Sequence, residues 1–219
     1  MIERIREAVF IDDRTFWINR PCGSNWLLEY PVVRAACAVD EAVPYWSEIW
    51  PASRMLAKAI LREPWESYPK VEAMEIACGL GLSGIAALSR GLRVTFSDID
   101  DFALRFTAEN AKLNGFTDFT TQPIDLHNPP EGLKVPVLLG ADLLYESRLI
   151  EHVATFIDSV LAPNGICLIA DPDRLSARPF RGICEDLGLN LESRFARAGE
   201  PGGERTKGTI YRITHRNRE

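Results

Sequence analysis

Very little in this chain of 219 residues points to a metal, a membrane or a covalent framework. The three histidines, His127, His152 and His215, show no ligand-like spacing. The five cysteines are Cys22, Cys37, Cys78, Cys167 and Cys184, an odd number with no C-x-x-C pair. That leaves no zinc site and no disulfide framework, and the thiols read as small buried apolar residues. No apolar run is long enough to span a bilayer. The start, Met1 to Glu7, is charged and lacks the apolar stretch of a secretory signal. The expectation is a protein of the reducing cytoplasm with no membrane partner. Repeats and low-complexity tracts are absent too. A net charge of −6 argues against a basic face for nucleic acid. An acidic surface instead draws cationic substrates, such as proteins presenting lysine.

What is present is a regular alternation of strand and helix patterns, in a length that suits one α/β domain. Residues 1–45 read as an extension packed on the core, with a strand at Arg14–Asn19 and a turn at Pro21–Ser24. Residues 46–219 read as the main domain. Helix patterns fall at Ala52–Leu61 with Ser53 as its cap, at Ser83–Arg90, at Asp101–Asn114, from Leu149 to Val160, and at Ala177–Leu187. The fourth of these is expected to close at Pro163-Asn-Gly165. Strand patterns fall at Val71–Ala77, Leu92–Ser97, Phe119–Ile124, Val135–Leu139 and Ile166–Ala170. Pro123 puts the third of these at an edge. The all-apolar fifth belongs in the sheet centre. Leu189–Ala196 and Thr209–Thr214 read as a terminal hairpin. The architecture is a Rossmann-like, doubly wound α/β fold, whose ligands bind beyond the carboxyl ends of the strands.

The strongest motif is Glu75-Ile-Ala-Cys-Gly79-Leu-Gly81-Leu-Ser-Gly84, between a strand and a helix. Glycines let a ligand approach the backbone, and the helix start offers N–H groups to an anion. Gly81→Val is therefore expected to block the ligand's path with the fold intact. The spacing also fits a dinucleotide fingerprint, with Asp98 where a ribose-binding acid belongs. A nicotinamide dehydrogenase is thus one reading. Three features favour S-adenosylmethionine instead. Glu75 would repel a pyrophosphate but suits ammonium and sulfonium charges. Asp125, after the third strand, can accept the adenine amino group, or simply close a surface turn before His127. Gly140-Ala-Asp142-Leu-Leu-Tyr145-Glu146 ends the fourth strand, beside the expected methyl group.

Together these residues resemble the seven-β-strand class I methyltransferases, and more narrowly the methyltransferase-16 family of protein-lysine methyltransferases. Glu75 to Gly81 resembles its Glu-Leu-Gly-x-Gly-x-Gly loop, with Ala77 in place of the first glycine. Ser97-Asp98 resembles its second-strand acid, and Asp142-Leu-Leu-Tyr145 its Asp-x-x-Tyr motif. Pro44 to Ser53 is similar to its tryptophan-bearing segment. That segment and Ala170-Asp-Pro-Asp-Arg174 are especially similar to the branch acting on the electron-transfer flavoprotein β-subunit. Asp125-Leu126 replaces the family's Asp-Trp, and Asp173 stands where that branch often has Gly. The resemblance implies strand order 3-2-1-4-5-7-6 with the seventh antiparallel. It also implies cofactor contacts at Trp50, Glu75, Ala77, Gly79, Gly81, Asp98, Asp125, Leu126 and Ala141. Trp46, by contrast, reads as core.

The expected reaction is an in-line methyl transfer that needs collinear atoms and no water. Asp142 and Tyr145 are the expected catalytic pair, Asp142 orienting the amine and Tyr145 walling the methyl channel. Their plainer readings are a helix cap and core packing. Protein-lysine methylation leads. A small-molecule methyltransferase is the alternative, since fold does not fix substrate, and the dehydrogenase comes after it.

Overall fold

The computed structural model describes residues 3–22, 45–65, 71–199 and 202–216. Gly23, Ser24 and Cys37 lie outside them. The main sheet comprises β3 (Glu72–Ile76), β4 (Arg93–Asp98), β5 (Phe119–Pro123), β6 (Val135–Ala141), β7 (Leu161–Asp171), β8 (Leu189–Ala198) and β9 (Thr206–His215). Its order is β5-β4-β3-β6-β7-β9-β8. All neighbours are parallel except that β9 runs antiparallel to both β7 and β8. Numbered from β3, this is the expected 3-2-1-4-5-7-6. Pro123 does sit in an edge strand, β5, where its missing N–H costs no ladder bond.

The helices are α1 (Pro51–Arg62), α2 (Leu82–Leu88), α3 (Asp101–Leu113), α4 (Ser147–Val160) and α5 (Phe180–Asp186). Two apolar clusters fill the layers. One lies under α1, α2 and α3 with Ile60, Ile85 and Phe106. The other packs α4 and α5 through Phe156 and Phe180. Two local readings need correction. Ser53 does not cap α1, because its hydroxyl donates to the Trp50 carbonyl and Trp50 holds the cap position. The chain does not pause at Pro163 after α4 either. It enters β7 directly at Leu161, whose side chain is fully buried.

The first strand of the chain escaped the sequence reading. β1 (Arg4–Ile11) pairs with β2 (Arg14–Pro21) around Asp12, which adopts a left-handed φ of 52°. Its charged residues masked a strand because they are used in ion pairs. Arg4 meets Glu109 of α3 at 2.8 Å, and Glu7 bridges Arg20 and Arg54. Of the described cysteines, Cys78, Cys167 and Cys184 are buried and all four are free thiols. No described helix is long and apolar enough to cross a membrane.

Two asparagines one helical turn apart fasten this hairpin. Asn110 accepts from the Asn19 amide at 2.8 Å and donates to the Asn19 carbonyl at 3.1 Å. Asn114 does the same with the Trp17 amide and carbonyl, at 2.9 and 2.8 Å. The repeats match: four helical residues rise about 6 Å and two strand residues about 6.6 Å. The α3 side chains thus complete the free edge of β2 as another strand would. Asn110 also donates to the Leu80 carbonyl in the glycine loop. Asn110→Ala leaves three backbone groups unpaired in a buried setting and is expected to cost about 2–3 kcal/mol. Asn114→Ala, in a more exposed place, is expected to cost about 1 kcal/mol. Urea midpoints of the two variants measure both. Equal losses would show that the Leu80 bond contributes nothing.

Candidate active site

The loop from Ala77 to Gly81 leaves β3 and turns sharply into α2. Ala77, Gly79 and Gly81 all have positive φ, at 45°, 53° and 80°. Two carboxylates fix it from below. Asp98, ending β4, accepts the Gly79 amide at 2.9 Å and the Asp100 amide at 3.0 Å. Glu75, in β3, accepts the Gly84 amide at 2.9 Å. From α3, Thr107 donates to the Gly79 carbonyl at 2.7 Å.

This geometry revises two expectations. The start of α2 is not open to an anion, because Glu75 already holds its Gly84 amide. A Cβ on Gly81 would lie 2.7 Å from the Thr107 methyl group, so Gly81→Val attacks the packing of the loop on α3 and not only the ligand's path. Gly84 has a similar role. Its Cβ would lie 2.2 Å from the Phe96 ring, so glycine lets α2 close on the sheet.

Glu75 and Asp98 are both buried, and neither has a Lys or Arg partner among the described residues. Burial pushes Glu75 up to about 8, against the Gly84 and Ser83 backbone that pulls it down, with Asp98 adding repulsion. Burial likewise pushes Asp98 up to about 6, opposed by the Asp100 and Gly79 amides. Asp98, ionised at neutral pH, and Glu75, which a nearby cation helps to ionise, suit a cationic ligand beneath the glycine cradle, and the Asp98 charge repels a pyrophosphate. Trp46 has a buried indole N–H with no partner among the described residues, and its own carbonyl would lie 3.3 Å from a Cβ on Gly79. The cleft therefore fits S-adenosylmethionine, with its ammonium and sulfonium, and the dehydrogenase reading falls.

The other side of the cleft is built on β6 and β7. Gly140 leaves room for Leu143, whose Cδ1 would lie 2.7 Å from a Cβ there. Leu143 and Leu144 are buried in the second cluster, and Asp142 and Tyr145 flank them, the first buried and the second exposed. Asp142 has a φ of 64° and is only 9% exposed. Its Oδ1 contacts the Arg174 guanidinium, and its Oδ2 has no well-formed hydrogen bond. Burial raises its pKa, with Arg174 and the Ala52 amide of α1 opposing. Arg174 also donates from its backbone to Asp171 at 2.9 Å, so it ties two strand ends together. Asp173 has a φ of 59°, which accounts for glycine as its counterpart in similar sequences.

Neither plainer reading of the pair holds. The N-cap of α4 is Glu146, not Asp142, and Tyr145 is 37% exposed. The Tyr145 ring lies 5.4 Å from Tyr45, which lies 6.2 Å from Trp50. The Trp50 indole donates to the Tyr45 carbonyl at 2.7 Å. Burial raises the Tyr145 pKa, with the Glu146 charge adding to the rise. Trp46 packs on Phe102 and Phe106 as core. Sequence reasoning passed over Tyr45 and Asp171. An acid at the end of the strand next to β6 was the available signal for the second.

The remaining residues lie at the rim. Asp125 closes a turn, accepting the His127 amide at 2.9 Å and the Asn128 side chain at 2.7 Å, and these bonds lower its pKa. Leu126 packs beside the second cluster with Ala77. Ala141 ends β6 opposite Ala170.

Solved structures share this architecture. A ribosomal protein L11 methylase from Lactobacillus delbrueckii subsp. bulgaricus superposes with a TM-score of 0.61, at 19% identity over 76% of this chain and 79% of that one. A precorrin-6y C5,15-methyltransferase from Geobacter metallireducens gives 0.58, at 15% identity over 75% and 86%. The fold is that of the class I S-adenosylmethionine-dependent methyltransferases. Within that class the chain belongs to the lysine methyltransferase family, whose model matches residues 44–179. It is 29% identical over 133 residues to the mouse electron transfer flavoprotein beta subunit lysine methyltransferase, covering 60% of this chain and 51% of that protein. It is 27% identical over 200 residues to a ribosomal protein L11 methyltransferase of Parasynechococcus marenigrum, covering 81% and 64%. The chain thus spans about half to two thirds of the length of these relatives.

Two outcomes follow from the loop. Ala77→Gly removes a left-handed alanine and is expected to stabilise the protein by about 1 kcal/mol, read from the urea midpoint. Glu75 has a folded pKa raised from 4.5 to about 8, so the folded state holds the proton more tightly. Its stabilisation is complete below pH 4.5 and is lost as pH rises toward 8. Glu75→Gln keeps an oxygen for the Gly84 amide and is expected to flatten that slope. An unchanged slope between those pH values would refute the assignment.

Proposed function

We propose that this chain transfers a methyl group from S-adenosylmethionine to the side-chain amine of a lysine in a protein. The observation that carries the reading is Asp142, a buried acid held by Arg174 at the end of β6, three residues before Tyr145, whose ring belongs to the Tyr45–Trp50–Tyr145 group. Asp142 and Tyr145 are the proposed catalytic pair. S-adenosylmethionine supplies an electrophilic methyl group on a sulfonium. In this reading Gly79 and Gly81 give the donor room beside Ala77 and Ala141, Glu75 and Asp98 balance its charge, and Asp98 takes the ribose hydroxyls. Trp50, Asp125 and Leu126 border it.

On the acceptor side the ring faces favour an alkylammonium by cation–π attraction, and their apolar walls then favour its neutral form. Asp142 accepts a hydrogen bond from the amine and stabilises the charge that develops on nitrogen. Arg174 keeps Asp142 in place. Tyr45 and Tyr145 are 44% and 37% exposed, so this side opens outward, as suits a side chain carried on a large partner. An enclosed small-molecule pocket would bury them. The names of the relatives agree with a protein acceptor, and the net charge of −6 with a partner other than nucleic acid. We read residues 46–219 as one catalytic domain, residues 1–45 as its extension, and the cytoplasm as its setting, in keeping with the free thiols.

Two experiments test this. Asp142→Asn keeps shape and loses charge. It is expected to bind S-adenosylhomocysteine like the parent, while single-turnover transfer to extract proteins at saturating donor falls at least about a hundredfold. Lost affinity with unchanged transfer would make Asp142 a donor ligand, and label found only in small molecules would overturn the lysine reading. The second experiment concerns pH. If ionised Asp98 accepts the ribose hydroxyls, affinity for S-adenosylhomocysteine weakens as pH falls through about 6. Asp98→Asn is expected to remove that step. Calorimetry on both proteins between pH 5 and 8 reads it, and a step that survives the substitution sinks the assignment.

A further inference from the structure

Away from the cleft, a groove of about 270 Å³ runs between α1 and the β8–β9 hairpin. Its floor is apolar, with Met55, Leu168 and Ile210. Its walls carry Lys58, Arg62, Arg194 and Arg212, and Arg197 flanks the same stretch of β8 with its side chain on the opposite face of the sheet. Among the described residues, the carboxylates within ion-pair range of these five cations are Asp12, Glu63 and Glu192, an excess of two positive charges. That local sign is opposite to the chain's net charge of −6. Arg197 makes no ion pair among the described residues, and its guanidinium lies 5.6 Å from the centre of the Phe195 ring.

We propose that this groove docks an extended acidic segment of a protein partner. Resting on the lysine reading above, that segment flanks the methylated lysine in the substrate. Three observations converge. The first is the charge, cationic walls around an apolar floor in an acidic protein. The second is the edge. β8 is the outermost strand of the sheet, so one side of its backbone is unpaired by any strand. Arg181 covers its first half by donating to the Leu191 carbonyl and the Ser193 hydroxyl, and Arg194–Arg197 borders the groove. Charged residues on an edge often serve only to prevent aggregation. Phe195 argues against that here, because a phenylalanine 70% exposed on the edge does the opposite.

The third observation is place. A Cβ on Gly208 would lie 2.4 Å from the Asp171 carbonyl and 2.7 Å from the Met55 sulfur. The upper end of the groove therefore abuts the β7 terminus, whose Asp171 is tied through Arg174 to Asp142. From there it follows α1 from Met55 to Arg62, eight residues that span about 12 Å. An extended chain covers that length with about four residues. A peptide that delivers a lysine to Asp142 is thus within reach of the groove with its next residues, and main-chain pairing to β8 can add to side-chain attraction.

The test uses a short fluorescein-labelled peptide of alternating glutamate and alanine, with oligouridylate as a second probe, in fluorescence anisotropy. The wild type is expected to bind the peptide with affinity that falls as salt rises. The double variant Arg194→Glu/Arg197→Glu, at two exposed positions, is expected to lose at least about tenfold in peptide affinity. Its affinity for S-adenosylhomocysteine stays unchanged, which also reports that it folds. Equal peptide binding by both proteins overturns the proposal. So does oligouridylate that binds more tightly than the peptide and is lost in the variant. Donor-derived label on extract proteins is expected to drop in the double variant. Label that persists undiminished overturns the groove and leaves the lysine reading standing. A wild type that binds the peptide yet labels no protein supports the docking and overturns the lysine reading alone.

Discussion

Two carboxylates with no cation opposite them among the described residues hold the loop between β3 and α2 by its amides, and the cleft is organised around that imbalance. Glu75 takes the Gly84 amide and Asp98 the Gly79 amide, at 2.9 Å each. Each bond satisfies a backbone group of the loop; Asp98 is a buried negative charge at neutral pH, and Glu75 keeps its proton there until a nearby cation favours its loss. Desolvation makes those charges costly until a positive group arrives. Their raised pKa values, about 8 and about 6, express the same cost. A cationic ligand relieves it and an anionic ligand worsens it. Charge, more than glycine spacing, separates a sulfonium donor from a dinucleotide here.

The opposite wall follows another constraint. The strands β3, β6 and β7 are neighbours, and each is followed within two residues by a non-glycine residue of positive φ: Ala77, Asp142 and Asp173. Each such residue is strained by about 1–2 kcal/mol relative to ordinary backbone. The strain turns the chain sharply at three adjacent strand ends, so short loops point into one cleft and do not run on past it. Arg174 then ties the β6 and β7 turns together through Asp142 and Asp171. Strain held at the carboxyl ends of strands, with an ion cluster to hold it, is what preorganisation requires.

Much of this was legible in the sequence, and the parts that were not share a cause. The strand and helix alternation carried the topology, because a parallel sheet with helical crossovers leaves periodic apolar runs. The Asp142 and Tyr145 spacing was legible for the same reason, with Leu143 and Leu144 as buried anchors between them. β1 was not, since its charges answer to Glu109, Arg20 and Arg54, far away in sequence. Ser53 carries the chemistry of a cap but donates to Trp50 instead. Asp125 shows the limit at its plainest. Its turn with His127 and Asn128 is local and readable, whereas a contact with adenine depends on where the cleft closes.

The molecule's charges are divided by function. Its cleft is acidic at Glu75, Asp98 and Asp142, which favours an incoming ammonium over any neutral or anionic group. Its groove along α1 is basic, although the chain as a whole is acidic. A lysine embedded in an acidic stretch matches both fields at once, the side chain meeting one and the backbone's neighbours the other. A lysine in a basic stretch meets attraction at the cleft and repulsion along α1. Each field alone is weak at physiological salt, where charges are screened over about 8 Å. Because the groove starts at the strand terminus that carries Asp171, the two act on the same segment of chain and add. On the proposed reading, substrate choice rests on the sequence around the lysine, which the fold can read without any pocket shaped for one particular side chain.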